Sequence, residues 1–163
     1  MRSTIVLTLA AVASAHFSLN TPPSRGSNGD TQDKSPCGGK NTPSTTRAKW
    51  SLSGGNQLSF EAGHDEAETA VYLAIGENPT ADDFTIILAD QFNQIGLGEF
   101  CWNDLEIPAS AKGVEDGVKA TVQVVQRGHS GGGLYNVSFR LICGMGWANG
   151  GDSARMLCSR VRR

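Results

Sequence analysis

The 163-residue chain is short of aromatics, at 7%, and of charge, at 18%, and it has only three histidines. It lacks a basic excess: the formal net charge of −2 leaves no electrostatic footprint for nucleic acid. No apolar run reaches the ~18–20 residues that a membrane-spanning helix needs. No segment carries a sustained apolar stripe at helical spacing. Its 20 glycines follow no three-residue period, which excludes a collagen-like rod, and 39% hydrophobic content is too ordinary for wholesale disorder. What is left is one globular domain large enough for a core.

The first fifteen residues read as an address. Met1-Arg2-Ser3-Thr4 supplies a positive charge, Ile5 to Ala13 is apolar, and Ala13-Ser14-Ala15 is a small-x-small cleavage site. Residues 1–15 are therefore expected to be a signal peptide, with a secreted mature chain starting at His16. In an oxidising compartment Cys37, Cys101, Cys143 and Cys158 can pair in three ways, among which the sequence does not choose.

Thr21 to Arg47 is rich in Pro, Gly, Ser, Thr and Asn, which is loop chemistry. Beyond it, short strands are expected at Trp50 to Phe60 (two pieces around Gly54-Gly55), Ala70 to Ile75, Phe84 to Leu88, Glu99 to Leu105 and Lys119 to Gln126. Turn signals separate them, and Gly128 to Gly133 reads as a hairpin turn. Many short strands without a repeat point to an all-β, antiparallel β-sandwich.

A histidine freed at the N-terminus offers two nitrogens, its α-amine and its imidazole Nδ1, which together close a six-membered chelate ring. The amine titrates near 7.7–8.0, so a strongly binding metal can displace its proton around neutral pH. Nitrogen ligands in a planar arrangement suit Cu(II), which tops the affinity series of the divalent ions. The third nitrogen must come from His64, just upstream of the Ala70 strand, or from His129, in the glycine-rich turn.

The ordered segments His16-Phe17-Ser18-Leu19, Pro22-Pro23-Ser24-Arg25-Gly26, Pro36-Cys37-Gly38-Gly39, Leu52 to Gly55, the His64 region, Gly98-Glu99-Phe100-Cys101, Ala120-Thr121-Val122-Gln123 and Gly133-Leu134-Tyr135-Asn136 resemble a known family. It is that of small secreted fungal copper-binding proteins related to lytic polysaccharide monooxygenases, including the copper-acquisition factors. The resemblance runs from His16 to Asn136. It implies an immunoglobulin- or fibronectin-like sandwich carrying one Cu(II) on His16 and His64, and a role in copper binding and uptake rather than catalysis. The expected partners are the copper ion and a membrane copper transporter or cell-surface component, with the protein itself a monomer. Many relatives are held at the cell surface by a glycolipid anchor, for which this chain shows no apolar tail.

The resemblance breaks after Asn136. The family usually continues Cys-Ala-Asp, whose aspartate the resemblance makes a third copper ligand, but here the sequence reads Val137-Ser138-Phe139. Residues 137–163 hold five arginines and one acid, Asp152. They are read as translated intron. Val137-Ser138 can be encoded GTA-AGT, a splice donor; Ala148-Asn149 can be GCT-AAC, a branch point; Asp152-Ser153 can be GAC-AGT, containing a CAG acceptor. Splicing there shifts the frame so that Ser153 to Met156 can yield TGC-GCG-GAT, which is Cys-Ala-Asp. On this reading the domain is 16–136, with eight basic and fifteen acidic residues, and Cys143, Cys158 and the Asn136-Val137-Ser138 glycosylation sequon are by-products. The written chain is expected to lose its closing core strand. Against copper acquisition stands a copper-dependent lytic polysaccharide monooxygenase, which needs an open coordination position and an aromatic-rich substrate face. A cell-wall interaction domain without metal would have no need of a free N-terminal histidine.

Overall fold

The computed structural model of the chain describes residues 16–26, 29–128 and 131–144. Residues 1–15, expected to be a signal peptide, His129 and the tail beyond Gly144 lie outside the described residues. Eight strands form two sheets: β1 (Ser18–Thr21), β2 (Ala48–Ser51), β3 (Asn56–Ala62), β4 (Glu66–Ile75), β5 (Ile86–Ile95), β6 (Gly98–Leu105), β7 (Lys119–Arg127) and β8 (Gly133–Cys143). One sheet has the order β1-β3-β6, the other β2-β8-β7-β4-β5. This is an all-β, two-sheet architecture; the helical content of the described residues is two single 3-10 turns. Every expected strand is present, and β4 and β5 run longer than their apolar runs. One pairing departs from the antiparallel expectation: β2 lies parallel to β8, Trp50 opposite Ile142.

Period-two alternation builds the core. Ala120, Val122 and Val124 of β7 face Leu73 and Val71 of β4, and Phe17, Leu19, Leu58 and Phe60 close on them from the smaller sheet. The opposite face of β7 carries Thr121 and Gln123, yet it too is buried. The loop between β1 and β2 covers it: Gln123 donates to the Pro36 carbonyl at 2.6 Å, and Arg25 reaches the Thr121 hydroxyl at 3.4 Å. Polar alternation thus marks a face roofed by a loop, whose backbone needs hydrogen-bond partners.

β8 passes the boundary at Asn136 without a break and runs on to Cys143, so the expected loss of a closing strand does not occur. The continuation is unusual in its chemistry. Leu134, Asn136, Ser138, Arg140 and Ile142 share the inner face, which sets Arg140 between the sheets at 1% exposure. Its guanidinium lies 5.2 Å from the Trp50 ring and bonds the Phe139 carbonyl and the Ser138 hydroxyl, but its Nε has no partner. No carboxylate pairs with it among the described residues. Burial pushes its pKa down to about 9, so it is still charged at neutral pH. A buried cation with no counter-ion destabilises the fold.

Arg140→Leu should therefore stabilise the chain, by about 1–4 kcal/mol, in urea unfolding in dilute chloride buffer. The native group loses its proton near 9 and the unfolded one only at much higher pH, so the gain is full below pH 9 and shrinks above it. An Arg140→Leu chain less stable than wild type at pH 7 would contradict this account.

Candidate metal centre

Residue 16 is placed by its neighbour. Phe17 is 3% exposed and packs edge-on against Phe60, centroids 6.0 Å apart, while Phe60 stacks on Phe100 at 5.5 Å. With Phe17 and Leu19 turned inward, alternation turns His16 and Ser18 outward, and both are exposed. The backbone of Phe17 is gripped by one side chain. Its N–H donates to Gln32 Oε1 at 3.1 Å, and its carbonyl accepts from Gln32 Nε2 at 2.7 Å and from Asn136 Nδ2 at 3.4 Å. Gln32 is 1% exposed and stands in for the strand neighbour that β1 lacks on that side.

His64 sits in the turn between β3 and β4, 8% exposed. Its carbonyl accepts from Gln94 Nε2 of β5 at 3.0 Å. Gln126 of β7 donates to Gln94 Oε1 at 3.3 Å and to the Thr69 hydroxyl at 3.1 Å. From the next turn, the Gly96 N–H donates to the Asp65 carbonyl at 2.6 Å; Gly96 holds a φ of +98°, which a side chain would strain. Three strands therefore fix the His64 turn through two buried glutamines.

Register brings the two histidines to one end of the sandwich. Ser18 faces Glu61 across the β1–β3 pair, so the same register extended two residues sets His16 opposite Gly63, one residue from His64. Asp33 is a carboxylate within electrostatic reach of His16. A hydrogen bond from Lys34 is the main cause of its lowered pKa, and His16 adds a smaller effect. No cluster of three His, Cys, Asp or Glu side chains occurs among the described residues. An N-terminal α-amine, which cleavage before His16 would create, is not a side chain and would be the extra donor.

Phe139 stands where the family's continuation would carry its aspartate. Phe139 lies under the Arg25 guanidinium, 3.2 Å from it to the ring centroid, with Arg47 at 4.6 Å. It is three residues along β8 from Asn136, about 10 Å, and on the opposite face from the side chain that touches Phe17. Cys37 and Cys143 are free thiols, so Cys37 and Cys101 are not paired. Burial pushes the Cys37 thiol up, only partly offset by nearby Arg25.

The sequence profile of the copper acquisition factor BIM1-like domain matches residues 14–139. The chain belongs to that family. It is 32% identical over 147 residues to the copper acquisition factor BIM1 of Cryptococcus neoformans var. grubii, covering 85% of this chain and 65% of the relative. An uncharacterized protein of Aspergillus fumigatus is 41% identical over 133 residues, 80% of this chain and 54% of its own length. A lytic polysaccharide monooxygenase-like protein X325 of Yarrowia lipolytica is 31% identical over 137 residues, covering 79% and 49%. The chain thus spans about half to two thirds of the length of the curated relatives it matches. Among solved structures, the catalytic domain of a Listeria monocytogenes LPMO aligns with a TM-score of 0.49 and 15% identity, over 78% of this chain and 99% of that domain.

The supporting residues Gln32, Gln94 and Asn136 carry no sequence signal that separates them from exposed amides. Gln126 does: it continues the inward series Ala120, Val122, Val124 with a polar side chain. Gln32→Ala should lower unfolding stability by about 1–3 kcal/mol, because it strips partners from a buried backbone N–H and C=O. It should also speed hydrogen exchange at the Phe17 amide. Unchanged exchange there would show that Gln32 does not hold the segment.

Proposed function

We propose that the mature chain is a secreted copper(II)-binding protein of copper acquisition, with the metal as cargo rather than as a catalyst. His16 supplies its α-amine and Nδ1, and His64 supplies a third nitrogen. The carrying observation is the shared end of the sandwich: β1–β3 register brings residue 16 alongside the His64 turn, and buried glutamines hold both backbones. Nitrogen donors with nearby acidic groups suit Cu(II). The acidic 16–136 segment favours approach of a cation, and a membrane copper transporter or another cell-surface component is the partner such cargo requires.

The second reading, an oxidative polysaccharide enzyme, is favoured by the monooxygenase-like names of some relatives. The surface argues the other way. The exposed large apolar side chains next to the His64 turn are aliphatic, Ile95 and Leu97. Exposed Trp102 pairs with Leu58, well along β6 from the Gly98–Ala62 end, and leans edge-on against Phe92.

Residues 137–163 are, on our reading, translated intron, and the packing of β8 supports a Cys-Ala-Asp continuation. An aspartate at 139 would lie between Arg25 and Arg47, where Phe139 now sits. A cysteine at 137 would share a face with Gln123, whose side chain holds Pro36 beside the free Cys37. The buried Arg140 would disappear.

Calorimetric titration of a chain beginning at His16 should give one Cu(II) per molecule. A glycine added before His16, or His64→Ala, should weaken binding at least about a hundredfold, about 2.8 kcal/mol. Equal affinity in both variants would remove the assignment. Messenger RNA sequenced across the codons for Tyr135 to Ser159 should read Leu-Tyr-Asn-Cys-Ala-Asp; an unspliced message alone would make residues 137–163 a true part of the protein.

A further inference from the structure

The stretch from Trp50 to Ala111 contains eleven carboxylates and no lysine or arginine. At the end of the sandwich that carries the His64 turn, this charge is left uncompensated. Glu61 of β3 stands directly opposite Glu99 of β6, and Asp65 and Glu66 follow His64. All four are exposed, and none belongs to an ion pair among the described residues. Glu68, further along β4, does have a partner in Arg127. Like charges facing each other across a strand pair destabilise a sheet, so the Glu61–Glu99 pair is a cost the fold carries. Between these acids the β5–β6 hairpin raises two aliphatic side chains. Ile95, directly opposite Glu66, is 73% exposed, and Leu97 is 69% exposed. They are two of the four large apolar side chains exposed among the described residues, and only Gly96 separates them. The tip is held firmly. The Gly96 N–H donates to the Asp65 carbonyl at 2.6 Å, and the Gly96 carbonyl accepts from Gln94 Nε2 at 2.5 Å. The same Gln94 amide holds the His64 carbonyl, so hairpin tip and histidine turn are one hydrogen-bonded unit.

We propose that this hairpin tip is the docking surface for a protein that takes copper from the chain, one whose contact face carries an apolar pocket inside a rim of lysine and arginine. The inference rests on the copper reading above and adds the place and chemistry of the partner. Charge complementarity selects the occupant. The four carboxylates attract and orient a cationic protein face, and they repel anionic lipid headgroups and a second copy of the same tip. Ile95 and Leu97 supply the apolar anchor that such a contact needs at its centre. Because the tip is ordered by its own hydrogen bonds, little freedom is lost when it is gripped. A partner seated there lies against the His64 turn rather than at the far end of the sandwich.

The test measures binding of the metal-free chain beginning at His16, carrying a fluorophore on lysine, to copper-starved cells whose own gene for it is deleted. We expect saturable binding that added salt weakens and that trypsin treatment of the cells removes. The double variant Ile95→Thr/Leu97→Ser should bind the cells about tenfold or more weakly, and so should Glu66→Lys/Glu99→Lys. The hairpin variant should keep its circular dichroism spectrum and its calorimetric Cu(II) affinity. Loaded with copper, wild type should deliver the metal to these cells several-fold faster than the hairpin variant does. Docking of the metal-free chain is read apart from copper: unchanged copper affinity in His64→Ala removes the copper reading, whereas unchanged docking by the hairpin variant removes this one. Docking that survives trypsin, or copper delivery equal in the two chains, would also overturn the proposal. So would binding to phosphatidylcholine–phosphatidylserine vesicles that the hairpin variant loses, which assigns the tip to a membrane. A dimer in sedimentation that Leu97→Ser dissolves would overturn it in favour of a second copy.

Discussion

Gln32 holds both backbone polar groups of Phe17, and the geometry of the N-terminal end depends on that grip. β1 is only four residues long and pairs on one side, with β3. Its leading residues would otherwise carry unpaired backbone groups against the core. One buried amide closes both, Phe17 can then fill the slot against Phe60, and alternation turns residue 16 outward. The same device recurs at His64, where Gln94 and Gln126 bridge three strands to a loop carbonyl. In the proposed copper site the ligands would be placed by neutral amides that are not themselves ligands.

The strands were legible because their signals are local. Apolar runs such as Ala70 to Ile75, bounded by turn residues, specify strands wherever they sit in a sandwich. The two histidines were read as ligands, one by its position after an expected cleavage site and the other by its place before a strand. The supporting glutamines were not, since burial of an amide depends on partners tens of residues away, as with Gln32 and Phe17. The parallel β2–β8 pair was hidden for a similar reason: Trp50 and Ile142 are brought together by the loop crossing the sheet, which no short-range pattern encodes. β1 was missed because four residues of alternating polarity next to a proline-rich loop give too short a period to read.

The C-terminal part of β8 shows how pattern and chemistry can disagree. Val137 to Cys143 alternates well enough to continue a strand, and backbone pairing with β7 and β2 accepts it. Its side chains fit less well. Arg140 is a cation between two sheets, and Phe139 occupies a place where two arginines present unpaired donors. A fold whose levels of organisation agree elsewhere and conflict here is in tension at that segment. A continuation with aspartate at 139 would supply a negative charge beside Arg25 and Arg47.

The account rests on an N-terminal amine and two imidazoles sharing one copper ion. Pulsed EPR of the Cu(II)-loaded chain beginning at His16, with histidine alone labelled with nitrogen-15, tests that most directly. The account predicts three coupled nitrogens, all of them labelled, two from imidazole and one from the amine of His16. Coupling to a single imidazole, or to unlabelled backbone nitrogens, would contradict it.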